Sequence, residues 1–174
     1  MKIFILVTIL TGCTFISTKD QERNLSLSGT DFHMHIHTPE NLDDDVQFNA
    51  ERALFAADSI VLTRALLLPN GYSKNANEVY VKQENDFVAK QAEKKRSKLA
   101  GACAVNPMQP WAINEIKRCK AIGLEVLKVH FMASGMDLKN AKDYEVAKTY
   151  LAAAQDLGFT ILVHANYPTA QRGN

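Results

Sequence analysis

The chain has 174 residues, which is enough for one domain with a sizeable core and short for anything larger. Hydrophobic residues make up 47% of it and charged residues 22%, a composition that excludes an intrinsically disordered protein. The formal net charge of +1 is too small to favour electrostatic binding of nucleic acid or of an anionic membrane. The expected partner is therefore a small-molecule substrate.

The first residues are typical of an export signal. Lys2 precedes an apolar run of about ten residues, which is too short to span a bilayer as a helix. The string LTGC, which ends at Cys13, resembles a bacterial lipobox. We therefore expect a lipoprotein signal peptide at 1–12, lipidation of Cys13 and a flexible tether at 13–29. This predicts a periplasmic lipoprotein of the cell envelope, attached to the membrane through the lipid anchor only, and an ordinary cleaved signal is the alternative.

From Thr30 onward, strand and helix patterns alternate. Strands are predicted over 30–36, 59–68, 99–105, 125–131 and 159–164. Helices are predicted over roughly 43–58 and 76–98, from Gln109 with Pro110 as the first helical residue to Gly123, and from a cap at Asp143 to Gly158. This alternation indicates right-handed βαβ units and a parallel sheet, which open doubly wound sheets and (β/α) barrels share. No glycine-rich phosphate-binding string follows the first strand, which argues against the nucleotide-binding folds.

Two cysteines lie within the predicted domain. Cys103 falls in a predicted strand and Cys119 in the middle of a predicted helix. They could pair in an oxidising compartment, but buried free thiols are the state we expect from these positions. Without CxxC spacing or a nearby histidine, neither is expected to be a nucleophile.

Three histidines stand at predicted strand ends. His33 and His35 are two residues apart and therefore share one face of the first strand, and His164 closes the fifth strand. The carboxyl ends of parallel strands meet at the face where barrel enzymes carry their active sites. Three imidazoles suit Zn²⁺ or a similar divalent ion and leave one coordination position for water. The sequence therefore predicts a divalent-metal site, with Zn²⁺ as the expected ion.

Three segments carry a more specific resemblance. TDFHMHIH at 30–37 resembles the Asp-x-His-x-His motif of the amidohydrolase superfamily, in which both histidines bind metal. AIGLEVLKVHF at 121–131 and AQDLGFTILVHAN at 154–166 are similar to the fourth and fifth strands of its amidohydrolase-2 branch, which includes aminocarboxymuconate-semialdehyde decarboxylase. The resemblance covers roughly 30–167. It implies an α/β fold in which 30–174 forms the N-terminal part of a (β/α)₈ TIM barrel, with about five β/α units and one or two metal ions.

The resemblance also assigns roles to residues. His33, His35 and His164 would be the metal ligands. His130 would contact the substrate or the metal-bound water as the candidate catalytic residue. Lys128 would be either a carbamylated bridge between two metals, as in some relatives, or an ion-paired lysine in the barrel mouth.

Three further residues have open roles. Asp31 either orients a ligand histidine or makes a hydrogen bond along the strand edge. Arg64 on the second strand either binds a substrate carboxylate or forms a structural ion pair. His37 is expected to be an exposed loop residue rather than a ligand.

The function implied is hydrolysis of a small amide, lactone or ester by a metal-activated water. Decarboxylation on the same site is one alternative, and a non-catalytic metal-binding lipoprotein of the envelope is another. A complete barrel of this kind has about 250 residues. The family's sixth-strand histidine and last-strand aspartate have no counterpart in this sequence, so we expect a truncated form of a longer enzyme.

Overall fold

The computed structural model describes residues 29–36, 38 and 62–164, and its described strands all run parallel. The strands are β1 (Gly29–His35), β2 (Leu62–Leu68), β3 (Leu99–Ala104), β4 (Val126–Val129) and β5 (Thr160–Val163). Their order in the sheet, β1-β2-β3-β4-β5, follows their order in the chain. A doubly wound sheet reverses direction at a switch point, whereas a barrel adds each strand on the same side of the previous one. The predicted α/β fold with five barrel-type units is therefore confirmed: the sheet forms a curled half-barrel.

Three helices connect the later strands: α1 (Glu78–Glu93), α2 (Ala112–Ala121) and α3 (Ala141–Asp156). No helix in the described part of the chain is long and apolar enough to cross a bilayer. All three were predicted, but two of their starting points were wrong.

The second helix does not begin at Gln109 and Pro110 but at Ala112. The side chain of Asn106 accepts a hydrogen bond from the backbone N–H of Met108 at 2.8 Å and closes a turn there. That local turn competes with helix formation and delays the helix.

The third helix is capped by Asn140 rather than by Asp143. Asn140 Oδ1 accepts from the backbone N–H of Lys142 at 2.9 Å and of Asp143 at 3.4 Å. Asp143 instead lies in the first turn, where a negative charge is favourable beside the positive end of the helix dipole. Its carboxylate accepts from the backbone N–H of Asp137 at 2.9 Å.

The two faces of the sheet differ in what covers them. Ala65, Leu67, Leu127 and Val129 belong to the large core that the sheet makes with the helices. The alternate residues of the same strands form a thin inner cluster, which contains Leu66, Leu68 and Ala102 with Val126 and Leu162 packed against it. Because side chains alternate along a strand, Lys128 shares the inner face with Val126. The inside of the half-barrel is therefore where Lys128 lies.

Cys103 and Cys119 form a disulfide between β3 and α2, with their Cα atoms 5.9 Å apart. The expectation of free thiols was wrong. Cys119 lies on the face of α2 that packs against the sheet, and both side chains are fully buried in the same core. Packing of a helix on the strand that precedes it thus brings together two sulfurs that are 16 residues apart.

Several sequence predictions lie outside the described residues. These are the signal peptide at 1–12, lipidation of Cys13, most of the tether at 13–29, the helix at 43–58 and the loop position of His37.

Candidate metal centre

Four histidines gather at the carboxyl ends of β1, β4 and β5. His33 and His35 lie on β1, while His130 and His164 directly follow β4 and β5. The Nε2 atoms of His33 and His35 are 3.2 Å apart. The ring centroids of His33 and His164 are 5.7 Å apart, and those of His130 and His164 are stacked at 4.1 Å. The structure thus places the three predicted ligands and the candidate catalytic histidine in one cluster.

An irregularity in β1 sets the direction of His33. Asp31 is aligned with Ala65 and Met34 with Leu67, so β1 holds one residue more than β2 in this interval. Such a bulge interrupts the ladder and redirects side chains. The carboxylate of Asp31 accepts a hydrogen bond from the backbone N–H of His33 at 2.7 Å. Asp31 therefore makes a hydrogen bond along the strand, which was one of its two expected roles.

His130 is held in one tautomer. Its side chain is 8% exposed, and its Nδ1 accepts a hydrogen bond from the backbone N–H of Ala133 at 3.3 Å. A neutral imidazole has one donor nitrogen and one acceptor nitrogen, so the proton of His130 resides on Nε2. This arrangement makes His130 a hydrogen-bond donor towards the cluster rather than a fourth ligand through Nε2.

Burial and nearby positive charge favour the neutral form of His33 and of His130. Partial burial, the ammonium of Lys128 and the neighbouring His164 lower the pKa of His33, while Asp31 opposes them. Burial, His164 and Lys128 also lower the pKa of His130. Neutral imidazole is the form that binds metal, so these shifts favour a ligand role for His33 at neutral pH.

Lys128 is the buried cation of this site. It is 1% exposed on the inner face of β4, and burial lowers the pKa of its ammonium. No carboxylate of the described residues lies within ion-pair distance of it, so the ion-paired alternative has no partner in that part of the chain. Lys128 lies two residues before His130, and its positive charge lowers the pKa of His33 and of His130.

Arg64 is not part of the cluster. It is exposed and is aligned with Thr30 near the start of β2, whereas His35 is aligned with Leu68 at the other end. Four residues of strand separate Arg64 from Leu68, which is about 13 Å at 3.3 Å per residue. Arg64 therefore lies near the amino ends of the strands, whereas the histidines lie at their carboxyl ends. This position does not support the predicted contact between Arg64 and a substrate bound at the histidines.

The histidine donors match part of a metal site. Two nitrogens bound to one tetrahedral Zn²⁺ at 2.0–2.1 Å are about 3.3 Å apart, close to the 3.2 Å between His33 and His35. As the described side chains stand, however, no three of them are arranged to hold an ion together. The β1 pair fits a divalent metal by donor chemistry and spacing, whereas His164 lies beside the pair with its ring centroid 5.7 Å from that of His33 and does not complete a three-ligand arrangement.

Tyr72 belongs to the site but was missed from the sequence. Its ring centroid lies 5.2 Å from that of His130 and 6.4 Å from that of His35. The signal that could have revealed it is its position just after the Pro69-Asn70-Gly71 turn, in the loop that follows the carboxyl end of β2. Loops at this face carry the functional residues of barrel enzymes.

No protein-family model matches the chain, and no curated protein matches it in sequence. Solved structures do match its fold. The 5-carboxyvanillate decarboxylase of Novosphingobium aromaticivorans, with bound manganese, is 13% identical with a TM-score of 0.64, and the match covers 80% of this chain and 51% of that one. The 2,6-dihydroxybenzoate decarboxylase of Rhizobium is 15% identical with a TM-score of 0.60, covering 83% and 52%.

A hydrolase shares the fold as well. A probable 2-pyrone-4,6-dicarboxylic acid hydrolase of Acinetobacter baumannii, with citric acid bound, is 17% identical with a TM-score of 0.55, and the match covers 80% of this chain and 50% of that one. These neighbours are enzymes of the amidohydrolase-2 branch that the sequence resembles, most of them decarboxylases. At such low identity they show the fold, and the chain spans about half the length of the structures it matches.

Proposed function

We propose that this chain supplies the metal-binding part of an amidohydrolase-type enzyme, with His33, His35 and His164 as ligands of one divalent ion. The observation that carries the proposal is the 3.2 Å separation of the His33 and His35 Nε2 atoms at the carboxyl end of a barrel strand. Zn²⁺ is the ion that three imidazoles favour, and Mn²⁺, which the Novosphingobium decarboxylase binds, is the other ion to test.

The substrate we propose is a small carboxylated molecule. All three neighbours are named for carboxylic acids, and the Acinetobacter hydrolase holds citric acid. Lys128 offers a buried ammonium without an acidic partner among the described residues, and a substrate carboxylate would supply one. The Nε2–H of His130 would donate a hydrogen bond to the reacting group. When bound, the metal would activate a water and polarise a substrate carbonyl.

Hydrolysis of an ester, lactone or amide is the reaction we propose first. Decarboxylation is the second candidate, and one observation favours it. Hydrolysis requires a base for the attacking water, yet Asp31, the one acid among the described residues whose charge acts on His33, is engaged with the backbone of His33. Decarboxylation needs no attacking water, so it does not require such a base.

The metal site is tested by equilibrium dialysis of the purified chain against Zn²⁺ and against Mn²⁺, followed by elemental analysis. The double variant His33→Ala with His35→Ala should lose at least nine-tenths of the bound metal. Phe32→Ala is the matched control, because Phe32 lies on the same strand with its side chain 54% exposed. Unchanged metal content in the double variant would refute the metal proposal.

The reaction is tested with the metal-loaded chain on a panel of carboxylated lactones, esters and aromatic acids in H₂¹⁸O. Incorporation of ¹⁸O into the product supports hydrolysis, whereas release of CO₂ without incorporation supports decarboxylation. Metal binding without turnover of any substrate would favour the non-catalytic lipoprotein instead. His130→Gln should lower turnover by about a hundredfold while leaving metal content unchanged.

A further inference from the structure

Basic side chains gather at the end of the sheet that lies opposite the histidines. α1 ends at Glu93, and the residues that lead from it into β3, at 94–98, read KKRSK. All five of them are exposed. Arg64, which is also exposed, lies near the start of β2. Because the strands are parallel, the start of β2 and the segment before β3 meet at the amino ends of the strands.

Backbone hydrogen bonds hold these cations together. The N–H of Ala65, the residue after Arg64, donates to the carbonyl of Lys98 at 2.9 Å. The carbonyl of Lys95 accepts from the N–H groups of Lys98 and Leu99, both at 2.8 Å, which closes a defined turn. Arg64 and the segment before β3 therefore form one surface.

Three of these cations are not neutralised. Arg96 forms an ion pair with Glu93. By contrast, Arg64, Lys94 and Lys95 form no ion pair with another residue in the described part of the chain. We refer to these three residues as the basic patch. Like charges on one surface repel one another, and an anionic partner would relieve that repulsion.

The opposite end of the sheet carries charges of mixed sign. Lys74 lies in the connection after β2, and Lys139 and Lys142 lie in the segment after β4, where Asp137 and Asp143 accompany them. The formal net charge of +1 thus describes the total and not the distribution. It is the amino ends of the strands that present a surface for an anion.

We infer that the basic patch binds the anionic phospholipid headgroups of a bilayer. β1 begins at Gly29, so the preceding chain joins the domain at the same end of the sheet as the patch. Cys13, the proposed lipid anchor, precedes Gly29 by 16 residues, which as a flexible chain span about 22 Å on average. Such a tether brings the amino ends of the strands to the membrane and leaves the histidines facing away from it. Basic residues near an anionic leaflet add to the affinity that a lipid anchor provides.

Vesicle binding of the full chain tests this inference. The product of cell-free translation carries no lipid on Cys13, so headgroup binding is measured without acylation. Co-sedimentation gives its dissociation constants for vesicles of phosphatidylcholine and for vesicles that also contain phosphatidylglycerol. We expect phosphatidylglycerol to tighten binding by about tenfold, and high salt to remove that preference.

Two triple variants locate the contact. Arg64→Gln with Lys94→Gln and Lys95→Gln should lose the preference for phosphatidylglycerol. Lys74→Gln with Lys139→Gln and Lys142→Gln removes the same charge from the opposite end of the sheet and should keep it. Equal binding of the wild type to both kinds of vesicle, or an equal loss in the two triple variants, would overturn the inference.

Amine labelling of the wild type, read by mass spectrometry, gives a test that does not depend on the folding of variants. Vesicles with phosphatidylglycerol should slow the labelling of Lys94 and Lys95 and leave Lys139 and Lys142 at their rates in solution. Protection of Lys139 and Lys142 instead would place the wrong face at the membrane and contradict the inference. A single-stranded oligonucleotide that binds the wild type more tightly than these vesicles would also contradict it, since the patch would then suit a nucleic acid.

Discussion

The carboxylate of Asp31 accepts a hydrogen bond from the backbone N–H of His33, 2.7 Å away, at the point where β1 bulges. The bulge adds a residue to β1 and takes the backbone of His33 out of register with β2. Asp31 supplies the acceptor that the neighbouring strand cannot. Asp31, two residues ahead of the proposed metal-ligand pair, therefore acts through the backbone, by fixing where the first imidazole points.

Asp31→Ala should weaken metal binding by about tenfold, because His33 loses the contact that fixes its direction. Asp31→Asn keeps an oxygen acceptor and should restore most of the affinity. The measurement is a Zn²⁺ titration against a chelator of known affinity, with circular dichroism to verify folding. A purely electrostatic role for Asp31 predicts the opposite pattern, in which Asn is as damaging as Ala.

Part of this fold was visible in the sequence because β2, β3 and β4 contain continuous apolar runs that are largely buried. His33, His35 and His164 stood out because the first two share one face of a strand and the third ends an apolar run, and a parallel arrangement brings strand ends together. The identities of the residues and the direction of the strands were sufficient to predict that these side chains would meet.

The remaining features depend on register and packing, which a single sequence does not show. Arg64 lies on β2, but only its alignment with Thr30 reveals that it is near the wrong end of the strand. The pairing of Cys103 with Cys119 depends on the angle at which α2 packs on β3. Tyr72 lies in a loop whose path depends on contacts with Ala133 and Ser134, more than 60 residues later.

Gly71 is required by a close approach of two backbone segments. A Cβ at this position would lie 2.2 Å from the carbonyl oxygen of Ala104. Gly71→Ala should therefore displace the loop that carries Tyr72 and lower the free energy of unfolding by about 2 kcal/mol, as overpacking does. Urea denaturation measures the change in stability. If Gly71→Ala has wild-type stability, the path of this loop is wrong.

Cys13 is the residue on which our proposal of an envelope lipoprotein depends. When the chain is produced in a Gram-negative host with radiolabelled palmitate, the wild type should carry label in the membrane fraction. Cys13→Ala should abolish the label, and Cys119→Ala should retain it, because only a cysteine at the cleavage point is acylated. Label on Cys13→Ala would exclude lipidation at this position.

The Cys103–Cys119 disulfide should stabilise the fold by about 3 kcal/mol, the value for closing a loop of this length in the unfolded chain. Unfolding in urea with and without dithiothreitol measures that difference, and the double variant Cys103→Ala with Cys119→Ala should be insensitive to the reductant. Thiol titration in denaturant without reductant should find at most one reactive thiol per chain, that of Cys13. A titre of three would show that the pair is reduced.

Glu115 on α2 joins α1 through a network of buried hydrogen bonds. Its removal tests how much this network stabilises the packing of the two helices. Its carboxylate is 2% exposed, accepts two hydrogen bonds from Arg118 at 2.8 Å and a third from Asn85 Nδ2 at 2.9 Å. The hydrogen bonds to Glu115 are the main reason why the pKa of Arg118 is raised. Glu115→Ala removes the buried acceptor that Arg118 and Asn85 share, while Arg118 keeps its ion pair with Asp86 and Asn85 keeps its hydrogen bond to the Ala104 carbonyl. The free energy of unfolding should therefore fall by about 2 kcal/mol.

The matched control is Glu145→Ala on α3. Glu145 also pairs with a basic residue three positions away, Lys148, but both side chains are more than 60% exposed. Removal of such a surface pair should cost less than about 0.5 kcal/mol. If the two variants unfold at the same urea concentration, then solvent screens the Glu115 network as well. In that case the contact between α1 and α2 would depend on the apolar residues Val81, Val88 and Ile116 rather than on its buried charges.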